Sequence, residues 1–211
     1  MSHSKLIVLL VALNSASAGA QQTSAKPTPG RIALVIETEP GNIDVVLDST
    51  QAPVTVANFL RYVDKGAYTN GAFHRAVTLA NQPNDSVKIQ VIQGGANPEQ
   101  AAALRFPPIP LERTSVTGLR HHDGTLSMAR AGPNTATSDF FICIGDQPSL
   151  DFGGHRNLDG QGFAAFGQVM SGMDIVRAIQ TAPATAQRLT PPIVIKTIRR
   201  KGLKVRDGAK R

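Results

Sequence analysis

Apolar residues recur along this chain with two different spacings. Between Arg31 and Leu47 the spacing is two: Ile32, Leu34 and Ile36 alternate with other residues, and Ile43, Val45 and Leu47 repeat the pattern. Alternation of this kind marks strands with one buried face. Glu39-Pro40-Gly41-Asn42 lies between the runs, and Pro before Gly predicts a hairpin closed by a type II turn. Ala33 and Val35 are apolar too, so the first strand is expected to be covered on both faces. From Pro53 to Gly66 the rhythm becomes helical: Val56, Phe59, Leu60 and Val63 fall at i, i+3, i+4 and i+7. Pro53 suits the first turn and Gly66 the position just past the end. The apolar stripe of this helix is expected to face the core.

Strand character returns over Tyr68 to Val77, Gln90 to Gln93, Leu126 to Ala129, Phe140 to Ile144, Gly162 to Val169 and Ile193 to Ile198. Thr78 to Ile89 interrupts with the turn signal Asn81-Gln82-Pro83-Asn84-Asp85. Gly94-Gly95 is expected to let the backbone turn sharply. Pro98 to Thr117 reads as irregular chain wrapping the surface, because proline blocks central ladder positions. Gly132-Pro133-Asn134-Thr135 is a polar turn between two strands. Ser171 to Ile179 predicts a short helix, with Ser171 as its cap and Ile175, Val176 and Ile179 on one face. Many short strands, two helices and no regular alternation argue against a parallel α/β sheet. The predicted fold class is mostly β, a closed antiparallel β-barrel capped by two α-helices.

The stretch Ser127 to Ile142, SMARAGPNTATSDFFI, resembles the central signature of the cyclophilin-type peptidyl-prolyl isomerases. Phe73-His74-Arg75 and Gln93-Gly94-Gly95 resemble two further motifs of that family, in the family's order. With FGQVMSGMDIV from Phe166 to Val176, the resemblance covers about residues 31–200. It implies an eight-stranded barrel, peptidyl-prolyl cis-trans isomerase activity on proline-containing polypeptides, no cofactor, and a monomer. The Thr78 to Ile89 connection is longer than the family's usual one, so an extended hairpin or loop is expected near the site entrance. A barrel that binds proline-containing segments without useful turnover is the alternative.

The chemistry implied is rotation about an X–Pro amide, whose partial double bond sets a barrier of about 18–20 kcal/mol. No covalent step is needed; the twisted amide must be held better than either planar form. By the resemblance, Arg75 supplies an N–H donor to the prolyl nitrogen, and Gln93 orients the substrate backbone or Arg75. Phe141 floors the proline pocket, and Val91, Ala129, Leu150 and Phe163 line it or its rim. Phe140 should face the opposite way, into the core, because strand neighbours alternate. Several positions depart from the family's habit: Asp139 stands where Gln is usual, Ser149 where an aromatic is common, and Phe163 in place of His or Tyr. Gln90 and Val91 replace Phe and Met. An Asp139 carboxylate within about 4 Å of Arg75 would either hold the guanidinium in place or tie up the N–H groups meant for substrate; turnover is expected to be weakened, not abolished.

Composition changes the picture mainly at the two ends. Lys5, the eight-residue apolar run Leu6 to Leu13, and the small residues Ser15 to Ala20 follow the order of a secretory signal. Cleavage is expected after Ala20, leaving a periplasmic or secreted protein; eight apolar residues are too few to cross about 30 Å of hydrocarbon. The expected organisation is therefore a signal peptide over 1–20, a flexible linker over 21–30, the cyclophilin-like domain over 31–200 and a basic tail over 201–211. The net charge of +7 is concentrated from Lys196 to Arg211, where eight basic residues accompany one acidic residue. Such a block reads as a solvated tail, and the secretion signal argues against nucleic acid as its partner. One cysteine, Cys143, excludes an intrachain disulfide and reads as a buried small hydrophobe. His121-His122-Asp123 lacks metal-ligand spacing, and adjacent side chains on extended backbone point apart, so no metal is expected.

Overall fold

A computed structural model of the chain describes residues 30–202. The expected signal peptide, the linker up to Pro29 and the tail beyond Gly202 lie outside the described residues. Among the described residues nine strands occur: β1 (Arg31–Thr38), β2 (Asn42–Asp48), β3 (Gly71–Val77), β4 (Val91–Gly95), β5 (Thr125–Met128), β6 (Phe140–Cys143), β7 (Ala164–Ser171), β8 (Ala184–Thr185) and β9 (Arg188–Arg200). Their order is β1-β2-β7-β5-β6-β4-β3-β9-β8, all neighbours antiparallel, and a β1–β9 pairing closes eight of them into a barrel. Closure removes the open edges that an eight-stranded sheet would otherwise present. β8 adds only a short flap on β9.

The β1–β2 hairpin forms, but not through a type II turn. Gly41 sits at φ +153°, far from the roughly +80° which that turn requires. Instead the Thr38 N–H and hydroxyl both donate to the Gly41 carbonyl. Gly94 and Gly95 are a second correction. They lie within β4 and neither takes a positive φ. They provide room: a Cβ on Gly94 would stand 2.9 Å from the Phe73 ring, and one on Gly95 would collide with the Asp139 carboxylate.

Among the described residues four α-helices are present where two were expected. Helix α1 (Pro53–Asp64) buries Val56, Phe59, Leu60 and Val63 against one end of the barrel. The segment beginning at Pro98 is less irregular than its prolines suggested, because it holds α2 (Pro98–Leu104) and the single turn α3 (Thr114–Thr117). Asn97 caps α2 by accepting from the Glu99 and Gln100 N–H groups, and Pro98 is well placed at a first turn whose N–H needs no partner. The same segment caps α1, since the Glu112 carboxylate accepts from the Val54 and Thr55 N–H groups. Helix α4 (Met173–Gln180) closes the other end; its cap is Gly172, while Ser171 stays in β7 and donates to Asp44. The basic stretch is not wholly a tail either: Arg199, Arg200 and Lys201 pair with Glu37, Asp64 and Asp44.

Strand alternation sorts the apolar residues into two groups. Phe73, Ile92, Leu126, Phe140, Ile142 and Phe166 point into the barrel, where they meet Phe59 and Tyr68. Val77, Val91, Phe141 and Cys143 point outward and form a second, smaller cluster with Ile89 and Leu150. The barrel is therefore filled, and the second cluster lies on its outer face.

Candidate active site

One register line organises that outer face. Across adjacent strands Arg75 of β3 stands opposite Gln93 of β4, Gln93 opposite Phe141 of β6, and Phe141 opposite Ser127 of β5. Neighbouring strands lie about 4.8 Å apart, so the Arg75 and Phe141 backbones are separated by roughly two strand spacings, about 10 Å. That gap can hold a five-membered ring between a cation and an aromatic face. Arg75 reaches the outer face because of a bulge. Phe73 pairs with Gly94 and Arg75 with Gln93, so His74 is an extra residue in β3. Strict alternation would send Arg75 inward beside Phe73; the extra residue inverts the phase. Ala76 then returns to the core and Val77 to the outer cluster.

A cavity of about 470 Å³ opens over this line. All eight residues expected at the site line it: Arg75, Val91, Gln93, Ala129, Asp139, Phe141, Leu150 and Phe163. Phe141 is 4 % exposed. It stands edge-on to Phe163, ring centroids 5.3 Å apart, and its other side is stacked on the His121 imidazole at 6.0 Å. Arg130 closes the rim above Phe163. Its guanidinium lies 4.9 Å from that ring, donates to the Gly162 carbonyl and forms two bonds with Asp159. Those bonds hold the Asp159 carboxyl below its usual range. Below the floor, His121 is bonded to Asp151 at 2.8 Å and to Ser127 at 3.0 Å. Burial pushes the Asp151 carboxyl up, but the His121 bonds and Arg120 outweigh it and leave it lowered. His122 points the other way, into solvent beside Asp146.

The polar wall is a chain of amides around one cation. The Arg75 Nη1 donates to Gln93 Oε1 at 3.0 Å, and the Gln93 Nε2 donates to Asp139 Oδ2 at 3.4 Å. Asp139 thus reaches Arg75 only through Gln93. The direct Asp139–Arg75 pair is not among the ion pairs of the described residues; the Asp139 carboxylate instead lies 3.7 Å from His74 Nε2. The expected quenching by direct contact therefore has no geometry behind it. Burial is the main influence lowering the Arg75 pKa, with Arg156 adding to it and Asp85 opposing. A guanidinium starts so high that it remains charged at neutral pH.

The 78–89 segment does border the mouth, as its length suggested. Buried Gln82 braces it by bonding the Thr78 and Ile89 backbones. Arg156, also at the cavity, pairs with Asp85 at 3.0 Å and donates to the Val87 carbonyl. On the far side the 131–135 turn is fixed by Thr135, whose hydroxyl accepts from two backbone N–H groups. Asn134, not Gly132, takes the left-handed conformation there. Cys143 is buried and its thiol is pushed well up by burial, so it stays an inert filler. Among the described residues no cluster of three or more His, Cys, Asp or Glu side chains could hold a metal ion.

Two residues beside the site carried no signal in sequence: Arg156, at the cavity, and Gln187, which holds Arg75 from behind it. Gln187 accepts from Arg75 Nε at 2.9 Å and Nη2 at 2.6 Å. It sits in the β8–β9 turn, and only the folding of that flap brings it 112 residues back along the chain to Arg75.

Comparison with known proteins bears on the family and the fold. The family model described as cyclophilin type peptidyl-prolyl cis-trans isomerase/CLD matches residues 33–200. Peptidyl-prolyl cis-trans isomerase A of Dickeya dadantii is 35 % identical over 170 residues, which are 78 % of this chain and 82 % of that protein. Peptidyl-prolyl cis-trans isomerase B of Escherichia coli is 34 % identical over 148 residues, covering 70 % and 83 %. A crystal structure of a cyclophilin type peptidyl-prolyl cis-trans isomerase from Cryptosporidium parvum superimposes with a TM-score of 0.65 at 24 % identity, covering 82 % of this chain and 99 % of that one.

Proposed function

From the premise that the chain belongs to the cyclophilin-type peptidyl-prolyl cis-trans isomerases, we propose how its residues divide the work and where they do it. The protein is a peptidyl-prolyl isomerase, and its substrates are proline-containing polypeptides. The proline ring sits over Phe141, with Val91, Leu150 and Ala129 around it and Phe163 at the rim. Burying that ring costs the enzyme no hydrogen bond, because a prolyl nitrogen has no N–H to satisfy.

Planar amide nitrogen is a poor acceptor, because its lone pair is delocalised into the carbonyl. Twisting localises the pair, so an N–H aimed at the nitrogen grips the transition state and not the planar forms. Arg75 is that donor. A preorganised donor aimed at developing charge is worth roughly 10²–10³ in rate. Gln93 orients Arg75, and Asp139 in turn orients Gln93. The single observation that carries this assignment is the convergence of all eight expected residues on one cavity, with the guanidinium and the Phe141 ring at its two sides.

The reading extends to place. Lys5, the apolar run Leu6 to Leu13 and the Ala18-Gly19-Ala20 site support export and cleavage after Ala20. The mature chain then assists exported chains in the periplasm or outside the cell, as a monomer. Among the described residues no helix is long and apolar enough to cross a membrane. Two experiments test the proposal. A protease-coupled assay on an Ala-Pro peptide should show catalysis that Arg75→Ala removes. N-terminal sequencing of the exported chain should begin at Gln21; a mature chain that keeps Met1 and stays in the cytoplasm rules the export reading out.

A further inference from the structure

A guanidinium carries five N–H bonds. In Arg75, Nε–H and one Nη2–H are taken by Gln187 Oε1, and one Nη1–H by Gln93 Oε1. Three are used, and one N–H on each Nη is left. A head held in this way keeps two donors unspent, one on each Nη. A head held by Gln93 alone, through one bond, could turn about its stem. A second cavity of about 450 Å³, lined by His74, Arg75, Gln187 and Arg188, gives a freed head somewhere else to go.

Gln187 is itself held by two bonds besides those to Arg75. Its carbonyl accepts from the Ala76 N–H, the residue next to Arg75. Its Nε2 donates to the Asn81 carbonyl at 3.1 Å. Asn81 belongs to the long 78–89 segment, and its Nδ2 bonds both the Ala76 and the Ala186 carbonyls. Asn81 is fixed in turn by the Thr78 N–H. With Nε2 committed to Asn81, the Gln187 oxygen has to face Arg75. The extra length of the 78–89 segment thus has a use: it braces the flap that braces the arginine.

We propose that Gln187 is a positioning residue for the isomerase reaction, latching the Arg75 head with its two free donors toward the proline cavity. Gln187 lines the second cavity and not the first, so it acts through Arg75 and does not touch substrate. The inference rests on the reading of Arg75 as the donor.

The test compares Gln187→Met, which keeps length and loses the acceptor, with Gln187→Glu, which keeps an acceptor. Each is made in the parent chain, and Gln187→Met also in the Arg75→Ala background. On-enzyme exchange of an Ala-Pro peptide gives kcat and KM separately. Gln187→Met should lower kcat at least fivefold while KM stays within twofold. Gln187→Glu should recover more than half of the lost kcat. In the Arg75→Ala background Gln187→Met should change nothing further, because there is no head left to position. A Gln187→Met chain that keeps kcat within twofold, beside an inactive Arg75→Ala chain, overturns the inference and leaves the donor reading standing. The same holds if Gln187→Met costs an equal factor in both backgrounds, which would mark a purely structural role. An Arg75→Ala chain with full activity removes the donor reading and the inference together.

Discussion

Replacing Asp139 by Lys probes the weakest joint of the polar wall. The carboxylate accepts from Gln93 Nε2 at 3.4 Å, and this fixes which end of the Gln93 amide meets Arg75. An amide is nearly symmetric in shape, so it can turn over at little steric cost. A lysine ammonium offers only donors and would draw the Gln93 oxygen toward itself. Gln93 Nε2 would then face Arg75 Nη1, donor against donor. The loss is one hydrogen bond to a charged group, about 1.5–3 kcal/mol. Asp139 is 43 % exposed at its side chain, so water softens the conflict and the lower end applies. The expected outcome is a fall of roughly tenfold in kcat/KM, since 1.36 kcal/mol corresponds to a factor of ten. Asp139→Gln removes the charge but keeps an acceptor for Gln93. Its direct electrostatic effect on Arg75 acts across an intervening amide, roughly 7 Å, and is about 0.6–2.4 kcal/mol before salt screening. Charge alone is therefore expected to move kcat/KM by less than about threefold, the screened lower end of that range. The assay is protease-coupled isomerisation of an Ala-Pro peptide, with circular dichroism to confirm folding. Full activity in Asp139→Lys would refute the orienting role. A large gain in Asp139→Gln would restore the idea that the carboxylate quenches Arg75 directly.

Two further outcomes follow from the same geometry. The Asp151 carboxyl is held below its unfolded value of about 3.9, so the unfolded chain binds more protons through that interval. Its contribution to stability is present above about pH 4 and is lost as pH falls through the folded pKa. The difference in urea midpoint between the parent and Asp151→Asn should shrink as pH is lowered from about 6 to 3, and a constant difference would contradict the buried Asp151–His121 account. Gly95→Ala should displace Asp139, because a Cβ there collides with its carboxylate; kcat/KM should fall as in Asp139→Lys, and unchanged activity would show that the Gln93 orientation does not depend on Asp139.

Much of this was legible in the residues because local and global preferences agree. The spacing of Val56, Phe59, Leu60 and Val63 gave α1, and the alternation over Phe140 and Phe141 separated the core ring from the pocket ring. What was not legible depends on pairings between distant segments. Nothing in Phe73-His74-Arg75 shows that His74 is the bulged residue; strict alternation puts Arg75 on the wrong face, and only the register with β4 corrects it. Gln187 lies before Thr190-Pro191-Pro192, where prolines argue against a strand. Yet β9 starts at Arg188 and runs through them, on a side where β8 pairs only briefly. In α2, prolines nearby masked a helix whose own Asn97-Pro98 start was sound.

Exchange NMR on the enzyme saturated with an Ala-Pro peptide tests the central claim most directly, because it reads interconversion of the bound peptide apart from its affinity. With Arg75→Ala, bound cis–trans exchange should slow by a hundredfold or more, while the peptide still binds over Phe141 with an affinity within a few-fold of the parent. Bound exchange that continues at the parent rate without the guanidinium would contradict the account.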